Sequence, residues 1–306
     1  MIEPTVFLNG AFIPASQASL KIYDLGVVSG ATFTEMTRTF RGAPFRVDDH
    51  LARLYASLEY GGISISISPE EMRERILELI ARNFPLLENG QDLAVVCFVT
   101  AGENSIYAGR AEQSPSFVPT ICIHSFPLRF VNYQHFFSQG AHVVTPEVRH
   151  VPPQCLNPQS KHRSRLHWFL ADQQARKIDP NALPLLLDLQ GNISESTGAN
   201  FLIRKERTIF SPTPRNILQG VSLQTVREIA AQLNIELIEK DLQVEDVVEA
   251  DEAWLSSTPY CIAPCTRINN LSIGDGKIGP VFREILEFWN QRVGINIPAQ
   301  IMAATY

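Results

Sequence analysis

Lys161 and Glu195 are the two side chains whose settings invite chemistry. The chain has six lysines, at positions 21, 161, 177, 205, 240 and 277, and most of the others stand beside charged or turn residues. Lys161 opens the run KHRSRLHWFL, where His162, Arg163 and Arg165 crowd it with positive charge and Leu166, Trp168, Phe169 and Leu170 add apolar surface. A lysine partly desolvated near other cations holds its proton weakly, and the neutral amine is what forms a Schiff base. A solvated surface lysine is equally consistent with these residues. Glu195 lies in GNISESTGANFLI, read as strand, glycine turn, hydroxyl-rich loop and strand. A carboxylate fixed by hydroxyls and amides suits a protonated ring nitrogen in a bound cofactor. A solvated loop carboxylate fits the same pattern.

Three further features suit an anion. ILQGVS at 217–222 ends at a helix start, where backbone N–H groups of Val221 and Ser222 point outward and glycine permits close approach. Thr258, in LSSTPY, follows a strand and offers a hydroxyl and an amide. Arg53 stands about 200° round a helical wheel from Leu51, off the apolar face, facing solvent or an anion. An ordinary capped helix and a plain turn explain the first two equally.

The elements that must position these groups alternate between strand and helix without a regular βαβ rhythm, which indicates an α+β fold. Asn9-Gly10 joins two short strands within 5–13, and Arg41-Gly42 marks a second hairpin. Asp48-Asp49 caps a helix whose Leu51, Leu54, Tyr55 and Leu58 share one face. ISISIS reads as a connector into Ser68-Pro-Glu-Glu71, a capping box. Strands are expected at 93–100 and 116–125, separated by a loop. The aromatic tract around 127–137 has no clear period and is read as a linker between domains at 1–126 and 138–306. The second domain carries strands at 141–145, 183–189, 201–204, 208–211, 235–239 and 252–256. Its helices are expected from Lys161 to about 177, over 222–233 and over 279–293, with a short acidic one between.

Composition narrows the class. Hydrophobic residues make up 45% and charged residues 19%, enough for a sizeable core. A net charge of −6 without a Lys/Arg run argues against nucleic acid. No apolar stretch approaches the roughly 20 residues of a membrane span, and the N-terminus shows no export signal. Five cysteines without secretory features suggest free thiols in the cytoplasm. Cys261 and Cys265 lack the further ligands a metal site needs, so no metal is expected.

Taken in order, FLNG at 7–10, YDLG at 23–26, RGAPFRVDDHLARL at 41–54, SKHRSRL at 160–166, GNISESTGANFLI at 191–203, ILQGVS at 217–222, EADEAWLSST at 249–258 and GPV at 279–281 form a recognisable series. It resembles the class IV (fold type IV) pyridoxal-phosphate enzymes, which include branched-chain aminotransferase, D-amino acid aminotransferase and aminodeoxychorismate lyase. The resemblance implies a small N-terminal α/β domain and a larger domain with a mixed, barrel-like sheet. It implies pyridoxal 5'-phosphate as cofactor, Lys161 as Schiff-base lysine and Glu195 as partner of the pyridine nitrogen. Arg53, Val221, Ser222 and Thr258 match the phosphate cup, and Glu35 an active-site glutamate near the substrate. Amino acid and 2-oxo acid substrates and a homodimer follow from the same resemblance.

The substrate side departs from the family pattern. An arginine–glycine pair common after the 93–100 strand is Ala101-Gly102 here, and an alanine after Thr258 is Pro259, which lacks an N–H. SGAT at 29–32 replaces a glycine-rich stretch, and Leu166 a frequent tyrosine. Arg38, Arg149 and Tyr107 are the candidate substitutes for carboxylate binding, with Pro259 and Tyr260 on the pocket wall. The expected reaction is transamination of a branched-chain L-amino acid with 2-oxoglutarate. Aminodeoxychorismate lyase, D-amino acid or (R)-amine transaminase, and a cofactor-binding protein with little turnover are the alternatives.

Overall fold

The computed structural model describes residues 3–109 and 118–305. The chain divides into two compact units, Met1–Leu128 with Ser160–Arg165, and Arg129–Gln159 with Leu166–Tyr306.

The first unit begins with the hairpin β1 (Thr5–Leu8) and β2 (Ala11–Pro14). Asn9 and Gly10 both take positive φ, 49° and 93°, as its two-residue turn requires. Then follow a short helix α1 (Leu25–Val28), β3 (Thr32–Phe40), β4 (Ala43–Pro44), α2 (Val47–Tyr60), α3 (Pro69–Asn83), β5 (Leu93–Thr100) and β6 (Ile121–Pro127). The strands form one sheet in the order β2-β1-β6-β5-β3-β4. Leu93, Val95, Cys97 and Val99 alternate onto the side that receives Leu51, Leu54 and Leu58 of α2 and Met72, Ile76 and Leu79 of α3. Val96 and Phe98 face the other way, with Val6 and Cys122. The capping box at Ser68 and Glu71 is present. ISISIS is a connector whose isoleucines pack on the helix-side core. The start of α2 differs from expectation: Arg46, in a left-handed conformation, is the cap residue, and Asp48 and Asp49 sit in the first turn. There their charges favour the positive helix end. The strand expected from 116 begins at Ile121, and residues 110–117 lie outside the described residues.

The second unit contains α4 (Gln134–Gln139), β7 (Ala141–Val144), α5 (Leu166–Ile178), β8 (Leu183–Leu187), β9 (Ile193–Ser196), β10 (Ala199–Lys205), β11 (Thr208–Ser211), α6 (Val221–Gln232), β12 (Glu236–Glu239), α7 (Val244–Val248), β13 (Glu252–Ser257), β14 (Cys261–Ile268), β15 (Leu271–Ser272), α8 (Pro280–Val293) and α9 (Ile297–Met302). Its nine-stranded sheet runs β12-β11-β10-β13-β14-β7-β8-β9, with β15 paired to β14, and β9 pairs again with β10. That last pairing closes a ring of six strands, the barrel-like core expected of the fold.

Three differences from the sequence reading have physical causes. The aromatic tract expected as a linker is helical at Phe130–Tyr133 and Gln134–Gln139, because Tyr133 and Phe136 pack on Tyr260 with ring centroids 5.2 and 5.4 Å away. Ile193–Ser196, read as a loop, is a strand, since its backbone pairs on both sides. The helix expected from Lys161 starts only at Leu166. Residues 160–165 instead run as a strap bonded to the first unit.

Candidate active site

The strap fixes Lys161 through its backbone. The Lys161 N–H donates to Ser57 Oγ at 3.1 Å. Thr34 N–H donates to the Lys161 carbonyl at 2.8 Å, and Arg163 N–H to the Thr32 carbonyl at 2.9 Å. Ser164 Oγ donates to the Gly30 carbonyl at 2.9 Å. Ser57 is buried on α2 and its hydroxyl also donates to the Arg53 carbonyl at 2.8 Å. The four contacts hold the backbone on both sides of the lysine, so its side chain starts from a set position.

One turn before Ser57, the same helix carries a buried ion-pair cluster. Arg53 Nε donates to Glu35 Oε1 at 2.6 Å and an Nη to Oε2 at 2.8 Å, a bidentate pair. His50 Nδ1 lies 2.8 Å from Glu35 Oε2. Burial alone would raise the Glu35 pKa, but the charge and hydrogen bonds of Arg53, then those of His50, hold it well below the usual carboxylate range. Burial pushes His50 down, Glu35 opposes this, and the charges of Arg53 and Lys161 add to the depression. A neutral His50 then donates its Nδ1 proton to Glu35. Arg53 therefore neither faces solvent nor stands alone. Glu35 points to the helix side of the sheet, where Arg53 and His50 engage it. His50, three residues before Arg53, was missed in the sequence, although that helical spacing puts both on one face.

The second unit holds Glu195 on β9. Its side chain is buried, and Oε2 accepts the Leu218 N–H at 3.0 Å. Asn200 Nδ2 lies 3.5 Å from Oε2 and donates to the Leu218 carbonyl at 2.8 Å. His150 Nε2 is 3.5 Å from Oε1, while its Nδ1 donates to the Val151 carbonyl at 3.0 Å. Asp188 accepts from Asn192 and from Asn216 Nδ2, each at 3.0 Å, which anchors the loop leading to Leu218. The loop then passes tightly over Asn200, whose Oδ1 would lie 2.2 Å from a Cβ on Gly220. A Cβ there would force the Asn200 side chain to shift.

Gly220 leads into α6, whose N-terminus has no side-chain cap, so the amides of Val221 and Ser222 keep their donor capacity. Val221 and Ser222 are both buried. Asn200 pairs with Glu195 on one side and with Ser256 on the other, so all three side chains leave the same face of the sheet. Ser256 Oγ is buried and has no hydrogen-bond partner among the described residues. Thr258 stands in the turn that follows β13. A carboxylate for a ring nitrogen, an uncapped helix start and an unused hydroxyl on the carboxylate's face fit a ring-and-phosphate cofactor.

The remaining candidates are placed differently. Arg38 is 1% exposed, lies 3.8 Å from Asp92 and covers the Phe40 ring, so it is engaged within the first unit and closed to a substrate. Tyr260 is buried among aromatic rings rather than on an open wall. Pro259 is half-buried in the turn beside it, and Tyr107 and Arg149 are exposed. All five cysteines are free, and burial pushes the Cys122 and Cys265 thiols up to about 11 and about 12.

Residues 32–268 match the family model for class IV amino-transferases. A Methanocaldococcus jannaschii relative with the provisional name branched-chain-amino-acid aminotransferase is 28% identical over 283 residues, covering 92% of this chain and 94% of its own. The D-alanine aminotransferase of Listeria monocytogenes is 28% identical over 299 residues, covering 94% and 96%. The fold is shared with a solved T.th. branched-chain amino acid aminotransferase complexed with N-(5'-phosphopyridoxyl)-L-glutamate, at a TM-score of 0.83, 22% identity and coverage of 96% and 95%. The chain belongs to the class IV aminotransferases, enzymes that work with pyridoxal 5'-phosphate.

Proposed function

We propose that the protein transfers an amino group between a branched-chain type L-amino acid and a 2-oxo acid, with 2-oxoglutarate as acceptor. The observation that carries the reading is the buried Glu195 carboxylate, which meets amide groups and one histidine but no arginine or lysine among the described residues of its unit. Its negative charge is available to a protonated ring nitrogen. Bound there, pyridoxal phosphate would act as the electron sink for the substrate's α-carbon.

The chain's own residues divide the work. Lys161 Nζ would hold the cofactor and would take and return the substrate's α-proton. Glu195 would face its ring nitrogen. The Val221 and Ser222 amides, with Thr258, hold the phosphate at the start of α6. Arg53, secured by Glu35, adds a fixed positive charge to this set.

The match to both branched-chain and D-alanine enzymes leaves the donor to experiment. Purified protein is expected to be yellow and to lose that colour with L-leucine, L-valine or L-isoleucine, regaining it with 2-oxoglutarate. If D-alanine alone discharges the colour, the L-specific reading is wrong. The string KHRSRL favours aminodeoxychorismate lyase as second reading, for which aminodeoxychorismate would yield pyruvate without any acceptor. A homodimer is supported by exposed apolar residues on two adjoining segments, Ile22 and Val27 with Ile106 and Val118, joined by the Leu25 N–H to Gly102 carbonyl bond. The free thiols suit the cytoplasm.

A further inference from the structure

Arg163 follows Lys161 by two positions in the extended strap. Side chains two apart in extended chain leave on the same side. The pairing with β3 sets which side that is. His162 stands opposite Phe33, so Lys161 and Arg163 share the side of Thr34 and Thr32. Thr34 stands opposite Phe98 on β5, which places Phe98 on that side too. The Arg163 guanidinium carbon lies 4.3 Å over the Phe98 ring. Register and ring contact thus agree on where this cation lies.

Among the described residues its charge meets no carboxylate. Arg53 is met by Glu35 and Arg38 by Asp92. Between Glu147 and Asp172 the chain carries no acidic residue, while Lys161, Arg163 and Arg165 fall within five positions. Among the described residues no carboxylate pairs with Arg163, which is nevertheless exposed and open to a solute. Partial desolvation lowers its pKa, with Cys122 and Cys97 opposing. A guanidinium stacked flat on a ring keeps its N–H edge for a planar, two-oxygen acceptor.

We propose that Arg163 receives the carboxylate of the amino acid and 2-oxo acid substrates, supplying the donors that Ala101 and Pro259 cannot. The proposal rests on the aminotransferase reading of Lys161. It makes any substrate of this enzyme a carboxylate and disfavours simple amines.

The test uses the holoenzyme with 4-methylvalerate, a carboxylate without an amino group, and the corresponding amide as control. Calorimetric titration of wild type, Arg163→Gln and Arg163→Lys is expected to show a loss of about tenfold or more for carboxylate binding in the glutamine variant. The lysine variant should recover part of it, and the amide should bind all three alike. KM for the amino donor should rise more than kcat falls. Equal carboxylate affinity in wild type and Arg163→Gln overturns the proposal, as does equal weakening of carboxylate and amide, which would mean lost packing on Phe98. A variant that only moves the pH at which the yellow colour fades would assign Arg163 to Lys161 instead, which also overturns it. A colourless wild-type protein that takes up no added cofactor would refute the aminotransferase reading itself, a separate result.

Discussion

In the first unit the buried carboxylate of Glu35 is met by an arginine and a histidine; in the second, the buried carboxylate of Glu195 is met chiefly by amides. The two arrangements answer the same problem, an acidic group withdrawn from water, in opposite ways. An ion-paired carboxylate is committed, because removing one partner strands the other. A carboxylate met chiefly by amide donors is not committed to a fixed cation. Identical chemistry at the side chain is thus closed by an arginine and a histidine in one place and met chiefly by amides in the other.

Substitutions should separate the two roles. The largest effect is expected from Lys161→Ala, which should lower turnover by on the order of 10²–10⁴-fold and remove the yellow colour of bound cofactor. A yellow variant would show that another lysine holds the group. Glu195→Gln keeps the shape and removes the charge. Turnover should fall by about 10²-fold while the melting temperature stays close to that of the parent protein. Glu35→Gln should act chiefly on stability. It leaves the Arg53 guanidinium poorly paired, so denaturant titration should show a loss of about 3 kcal/mol. Stability loss in Glu195→Gln equal to that in Glu35→Gln would erase the distinction between the two carboxylates.

Acid should act on the ion-paired cluster first. The unfolded chain takes a proton at His50 near its ordinary value of 6.5, before the folded protein does. The unfolded chain likewise protonates Glu35 near 4.5, well above the folded value. Both depressed groups contribute stability that is present above those values and lost as pH falls. Melting temperature should therefore decline below pH 6.5 and more steeply below pH 4.5, and His50→Asn should flatten the upper part. The smallest effect is expected from Ser57→Ala. Losing the bond to the Lys161 N–H should cost about 1 kcal/mol, visible as faster amide exchange at Lys161.

Local chemistry was legible in the sequence wherever neighbours in the chain decide it. Asn9-Gly10, Arg41-Gly42 and the Ser68–Glu71 box encode their own geometry, and strand, turn and cap appear where expected. The ordered series of motifs that resembles the class IV enzymes was legible too, and the family match agrees with it. Contacts between distant positions were not. KHRSRLHWF has helical composition, yet its first five residues are drawn out by bonds to Thr32, Thr34 and Ser57, more than a hundred positions earlier. Arg53 reads as an open cation until Glu35, on another element, is found against it. Ile193–Ser196 reads as a loop because it is short and polar, although the strands that satisfy its backbone, β8 and β10, are its immediate neighbours in the chain.

The strap also imposes an order on synthesis. The chain leaves the first unit at Leu128, returns for Ser160–Arg165 and leaves again. When residue 128 has emerged, the edge of β3 at Thr32–Thr34 waits without its last partner. A truncated product ending there carries all of that edge and no Lys161, and one beginning at Arg129 carries Lys161 without the Ser57 and Thr34 that hold its backbone. A fragment therefore holds the strap together with its partners only if it runs from the first unit past Arg165. The backbone of Lys161 is set only in a chain that has been made past it and has doubled back.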